Sequence, residues 1–159
     1  MSTLPQLLEE DIAALDVSLR DLLRKTEANT ALVIDRGGFL INQQGDYEEL
    51  DTTTLAALSS ASFAATQTIA GLIGENDFSS VYQQGEKRSI LVVNVDEYSL
   101  LVVVFPASIS VGAVKYHAPV TIKKVALQMK LAYERDPDNG LDLSVLNIAD
   151  TSGLFQKKA

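Results

Sequence analysis

The chain is expected to adopt an α/β fold of the α+β kind, an antiparallel five-stranded sheet with helices on its faces. Three observations predict this. Apolar residues near the start recur at helical steps, a long uncharged run in the middle has the length of a helix, and five short apolar runs are separated by turn-forming stretches. The order that results is helix, two strands, helix, three strands, helix, and short hairpins suffice to join the strands.

The first helix is expected over residues 4–24, where Leu8, Ile12, Leu15, Leu19 and Leu22 recur at steps of four, three, four and three. Ser2 or Thr3 can cap it, with Pro5 in its first turn. Ala31 to Asp35 and Phe39 to Asn42 flank Gly37-Gly38 and read as a hairpin. Gln43 to Leu50 is polar and acidic, and reads as a loop. Asp51 is a suitable N-cap for a helix from Thr52 to Ile73, with Gly74 as its stop. Such a rod would be roughly 33 Å long. Strands are expected over Phe78 to Gln83, Ser89 to Val95 and Ser99 to Phe105. The last is apolar on both faces and should be central. Ile122, Val125, Ala126, Met129 and Tyr133 line one face of a final helix, in which Pro119 predicts a kink or a fresh start. The domain is expected to span residues 1–136 and a tail residues 137–159.

Composition narrows the functions open to 159 residues. Nearly half of the chain, 47%, is hydrophobic, so a real core can form. The net charge of −8 argues against a nucleic-acid surface, which needs a basic stripe. With no cysteine, disulfides, thiolate metal sites and cysteine nucleophiles are excluded. The opening residues lack the basic region and long apolar run of a signal peptide, so a cytoplasmic protein is the simplest expectation.

Catalysis finds little support. His117 is the one histidine, no Gly-x-Ser-x-Gly occurs, and no Gly-rich loop ends in Gly-Lys-Ser/Thr. Asp136, Asp138, Asn139 and Gly140 hint at a calcium loop, but the glycine falls one place early and the twelfth-position glutamate is missing. Glu9-Glu10-Asp11 and Glu48-Glu49 read as solvated faces. No metal, cofactor or catalytic residue is expected.

The feature that carries the functional inference is the absence of any charged residue from Thr52 to Gly74, and of any Lys or Arg between Arg36 and Lys87. A surface helix normally carries charge on its outer face, so something should cover this one. A membrane span fits the length, but the run is rich in Ser and Thr, holds Gln67 and has acidic flanks. A fully buried core helix would need a thicker covering than one sheet and two helices supply. A protein interface remains, since the centre of an interface is depleted of charge. Leu55, Leu58, Ile69, Leu72 and Ile73 would then pack on the chain's own sheet. Ala57, Ala61, Ala64 and Thr68, at steps of four, three and four, would let another backbone approach.

The segments Ala31 to Asp35 with Gly37-Gly38, Leu50 to Ala56, Leu72 to Phe78, Gln84-Gly85-Glu86, Leu101 to Phe105 and Gly112 to Lys115 resemble the Roadblock/dynein light chain family, and within it the bacterial MglB branch. The resemblance covers roughly residues 28 to 117. It implies the helix and strand order given above, and a homodimer in which the strand Phe78 to Gln83 pairs with its copy while the second helices lie side by side. Phe78, Val81, Ala57 and Phe63 would then form the dimer interface. It further implies binding to a small Ras-like GTPase of the MglA type, with acceleration of GTP hydrolysis in bacterial polarity and motility. The GTPase contacts would be Ala61, Ala64 and Thr68, with Lys123 from the last helix and Leu154 and Phe155 from the tail. The uncharged helix has no arginine finger to supply, and Arg36 and Arg88 lie at strand ends. Activation would therefore be indirect, by stabilising a GTPase conformation. A Roadblock scaffold that binds without changing turnover, and a sensor holding a small ligand between sheet and helix, are the alternatives.

Overall fold

The computed structural model describes residues 4–135. Its elements are α1 (Glu9–Thr26), β1 (Thr30–Asp35), β2 (Leu40–Gly45), α2 (Thr52–Leu72), β3 (Ser80–Gln84), β4 (Arg88–Asn94), β5 (Ser99–Pro106) and α3 (Val111–Glu134). The five strands form one antiparallel sheet in the order β2-β1-β5-β4-β3. The expected order of elements holds, and β5 sits at the centre, buried on both faces.

The two faces are covered unequally. On one, α1 and α3 bury Leu15, Leu19, Leu22, Val125 and Met129 against Val33, Leu91, Leu101, Val103 and Phe105. On the other, α2 alone covers Leu32, Ile34, Val92, Leu100 and Val102. Alternate strand residues serve opposite faces, so a doubly covered central strand must be apolar throughout, as Leu100 to Phe105 is.

Helix α2 begins where Asp51 caps it. The Asp51 carboxylate accepts the Thr54 N–H at 3.1 Å and the Thr54 hydroxyl at 2.6 Å, and these bonds hold its pKa below the ordinary carboxylate value. The face it turns to the sheet differs from expectation. Thr52, Ala56, Ser59, Ser60, Phe63 and Ala70 are buried, whereas Leu58 is 64% exposed, Ile69 49% and Leu72 81%. Of the large residues expected to pack on the sheet, Ile73 is also exposed and only Leu55 packs against the core. Small side chains let the helix backbone lie close to the sheet. The ideal Cβ of Gly38, at φ +98°, would meet the Ala57 Cα at 3.2 Å. A positive φ and a near-contact both favour glycine there.

Helix α1 starts later than expected, at Glu9. Ile12 turns outward and Asp11 turns in. Asp11, expected on a solvated face, is instead fully buried, accepting the Leu8 N–H at 2.7 Å, Gln128 Nε2 at 2.6 Å, and Arg135 Nη1 and Nη2 at 2.7 and 2.6 Å. This ion pair fastens the end of α3 to the start of α1. Ser2 and Thr3, the expected caps, lie outside the described residues. At Pro119 the fresh start does not occur. One helix runs through it, with the proline exposed, so the Lys115 carbonyl that loses its donor is next to solvent.

The Arg135 hydrogen bonds hold the Asp11 pKa down, from 3.8 to about 2, against the opposing effect of burial. A carboxylate with a depressed folded-state pKa contributes stability above its unfolded value, and this is lost as pH falls through the folded value. About 2 kcal/mol should therefore disappear between roughly pH 4 and pH 2. Asp11→Asn should abolish that part of the acid dependence and cost a similar amount at pH 7, as read by urea unfolding at the two pH values. An unchanged acid limb would show that the pair contributes nothing.

Candidate functional site

The exposed side of α2 and the β3 edge beside it form one continuous surface. Ala57, Ala61, Ala64 and Thr68 are all exposed and follow one another down one flank of the helix. Leu58 and Ile69 lie on the opposite flank, the side of Leu55, which reaches toward the β3–β4 turn. No ionic side chain interrupts either flank. By length and composition α2 could also cross a bilayer, but its inner side is committed to the sheet through Phe63, Ser59 and Ser60.

Phe63 does not belong to this outer surface. At 2% exposure it is the one large α2 side chain inserted among Leu32, Ile34 and Val102, and it has almost no area to offer a partner. Within the protomer it holds the helix to its own sheet. Helical periodicity is the misleading signal, because the sheet accepts small residues plus one aromatic and leaves the large aliphatic ones outside.

The β3 edge carries Val81 half-buried toward α2 and Tyr82 on the opposite face, stacked on Phe105 with ring centroids 6.2 Å apart. Within the described residues β3 pairs only with β4, so its outer row of backbone groups is open. The strand begins at Ser80. Phe78, which precedes it, has its backbone taken up by Gln67: its N–H donates to Gln67 Oε1 at 3.1 Å and its carbonyl accepts Gln67 Nε2 at 2.9 Å. The strand expected from Phe78 onward thus begins at Ser80.

Beside this surface lies a cleft of 660 Å³ bounded by Phe63, Gln67 and Phe78 and, from α3, by Lys115, Pro119 and Ile122. Arg36 and Lys115 are the cations that line it. Arg36 is fastened in place: its Nε donates to the Asp96 carbonyl at 3.3 Å, its Nη2 donates to Asn94 Oδ1, and its guanidinium stands 5.4 Å from the Phe63 ring centroid. The Ser60 hydroxyl donates to the Arg36 carbonyl. A group so tethered is a wall of the cleft rather than an extended finger. Lys115, within the Gly112 to Lys115 motif, is not among the site residues expected from sequence, although its place at the start of α3 is the available signal. Lys123 is exposed two turns further along α3, and His117 lies edge-on to Tyr116 on the same helix. Leu154 and Phe155 lie outside the described residues. Among the described residues no three His, Asp or Glu side chains gather as a metal site would require.

The Roadblock/LC7 domain family model matches residues 15–105, the stretch from the middle of α1 through nearly all of β5. The chain belongs to the Roadblock/LC7 domain family. Solved structures narrow the likeness to MglB proteins. An MglB with a tetrameric arrangement is 31% identical, over 83% of this chain and 99% of that one, with a TM-score of 0.77. The gliding protein MglB from Thermus thermophilus is also 31% identical, over 83% and 100%, with a TM-score of 0.76. Myxococcus xanthus MglB is 28% identical, over 79% and 94%, with a TM-score of 0.72. No curated protein sequence matches.

Proposed function

We propose that the chain is a homodimeric, cytoplasmic regulator, without an active site of its own and without membrane insertion, that binds a small Ras-like GTPase of the MglA type and stimulates its GTP hydrolysis. The observation that carries this reading is the long α2 face, uncharged and exposed in the protomer of a chain similar to MglB over most of its length. Two copies would join along the β3 edge from Ser80, with Phe78, Val81, Leu58 and Ile69 beside the seam. The GTPase would dock across Ala61, Ala64 and Thr68, with Ala57 at the end of that flank left to the dimer interface, Lys123 as an outlying contact, and Leu154 and Phe155 as contacts from the tail. With Arg36 tethered and α2 lacking any cation, stimulation would come from favouring an aligned conformation of the GTPase. The role that follows is in bacterial polarity and motility.

The decisive experiment mixes the chain with an MglA-type GTPase loaded with GTP and follows phosphate release at increasing chain concentration. A saturable rise is the expected result. Binding without any rise would reduce the chain to an adaptor, and no binding would remove the proposal. Leu58→Glu is expected to shift the sedimentation coefficient from dimer to monomer with the circular dichroism unchanged, because it places a charge at the seam and leaves the core alone. A dimer that survives this change would move the seam elsewhere.

A further inference from the structure

We infer that the cleft bounded by Arg36, Phe63 and Lys115 is a binding site for a small organic acid, one carboxylate on a compact apolar body. Ala61, Ala64, Thr68 and Lys123 are absent from its lining, so this site does not depend on the GTPase. At 660 Å³ the cleft falls within the range of small-molecule sites, about 300–1,000 Å³. Its lining is of two kinds. Phe63, Val93 and Ala118 supply a buried apolar part, and Arg36, Asn76 and Lys115 an exposed polar one.

The polar part suits a planar anion. Nε and Nη2 of Arg36 donate to the Asp96 carbonyl and to Asn94 Oδ1, which leaves both N–H groups of Nη1 without an acceptor among the described residues. The same two bonds, with the Phe63 ring centroid 5.4 Å from the guanidinium, hold the group in one orientation, so little side-chain entropy is lost when a ligand binds. A second wall is fixed as well, because the Gln67 side chain clamps Phe78 through both its N–H and its carbonyl. A rigid guanidinium with uncommitted N–H groups matches the two oxygens of a carboxylate.

Charge selects the kind of anion. Arg36 and Lys115 bring positive charge to the lining, Asp77 brings its one carboxylate, and none of the three makes an ion pair among the described residues. The surplus is a single positive charge, which a monocarboxylate neutralises and a phosphate dianion would overshoot. The chain as a whole carries −8, so its surface in general repels acids and this local surplus of cation sets the cleft apart. Val93 and Ala118 select for size, because burying an apolar body beside them is favourable in proportion to its area. Affinity should therefore rise from acetate to octanoate.

The test titrates octanoate into the full ¹⁵N-labelled chain, with acetate and octanamide as controls. Octanoate is expected to shift, saturably, the amides of Asn76 to Ser80 and of Lys115, Ala118 and Ile122, while those of α1 keep their positions. Affinity should fall about 10-fold or more for acetate, for octanamide, and for octanoate on Arg36→Gln, as the loss of the apolar body or of a charge-assisted pair requires. Lys115→Met leaves the anchors of Arg36 intact and should weaken octanoate several-fold, which keeps the test decisive if Arg36→Gln fails to fold. Absent shifts, equal affinity for octanamide, or unchanged affinity in either variant would overturn the inference. So would octanoate binding confined to the Leu58→Glu chain, which would make a second copy the occupant.

Discussion

Phe63→Ala is expected to lower the unfolding free energy by about 3 to 5 kcal/mol, which is a drop of roughly 10 to 20 °C in Tm for a domain of this size. The size of the effect follows from how α2 is held. Its sheet-facing row is otherwise Thr52, Ala56, Ser59, Ser60 and Ala70, none of which can swing into the space the ring leaves among Leu32, Ile34 and Val102. Arg36 would also lose the ring its guanidinium stacks on. Urea unfolding at two protein concentrations is the appropriate measurement, because a core defect lowers stability equally at both. A loss seen only at the lower concentration would instead make Phe63 an intersubunit residue and reverse the assignment made from its burial.

Ala64→Arg should leave stability within about 0.5 kcal/mol, since the position is exposed and arginine is nearly as good a helix former as alanine. Its effect on the partner should be large. A long cation on a flank of small residues keeps two backbones apart and has no counter-charge on α2 to pair with. Stimulated phosphate release is expected to fall at least about 100-fold, equivalent to about 3 kcal/mol. Ala64→Ser, small and neutral, should retain most of the stimulation. If the arginine variant stimulates normally, the α2 face is not where the GTPase docks.

The arrangement of elements was legible from local pattern, because each strand and helix obeys its own periodicity and the connections are short. The uncharged run from Thr52 to Gly74 singles out α2 as the helix whose outer side lacks the usual charges. Which side of that helix would face inward was not legible. Leu58, Ile69 and Leu72 have the stronger apolar side chains, yet a backbone pressed close to the β1–β2 turn at Gly38 admits only small residues. Asp11 was hidden for a different reason. Its partners Gln128 and Arg135 lie more than a hundred residues away, and nothing local distinguishes it from its neighbours Glu9 and Glu10. The cleft lined by Arg36 and Lys115 likewise depends on tertiary placement, which brings the end of β1 beside the start of α3.

The lack of ionic groups on the outer face of α2 also sets the tempo of any encounter made there. With no local field to steer a partner, capture should proceed near the unassisted rate of about 10⁵–10⁶ M⁻¹s⁻¹ and change little with added salt. Occupancy must then depend on how slowly the partner leaves, so such a regulator would act as a long-dwelling companion more than a fast sampler.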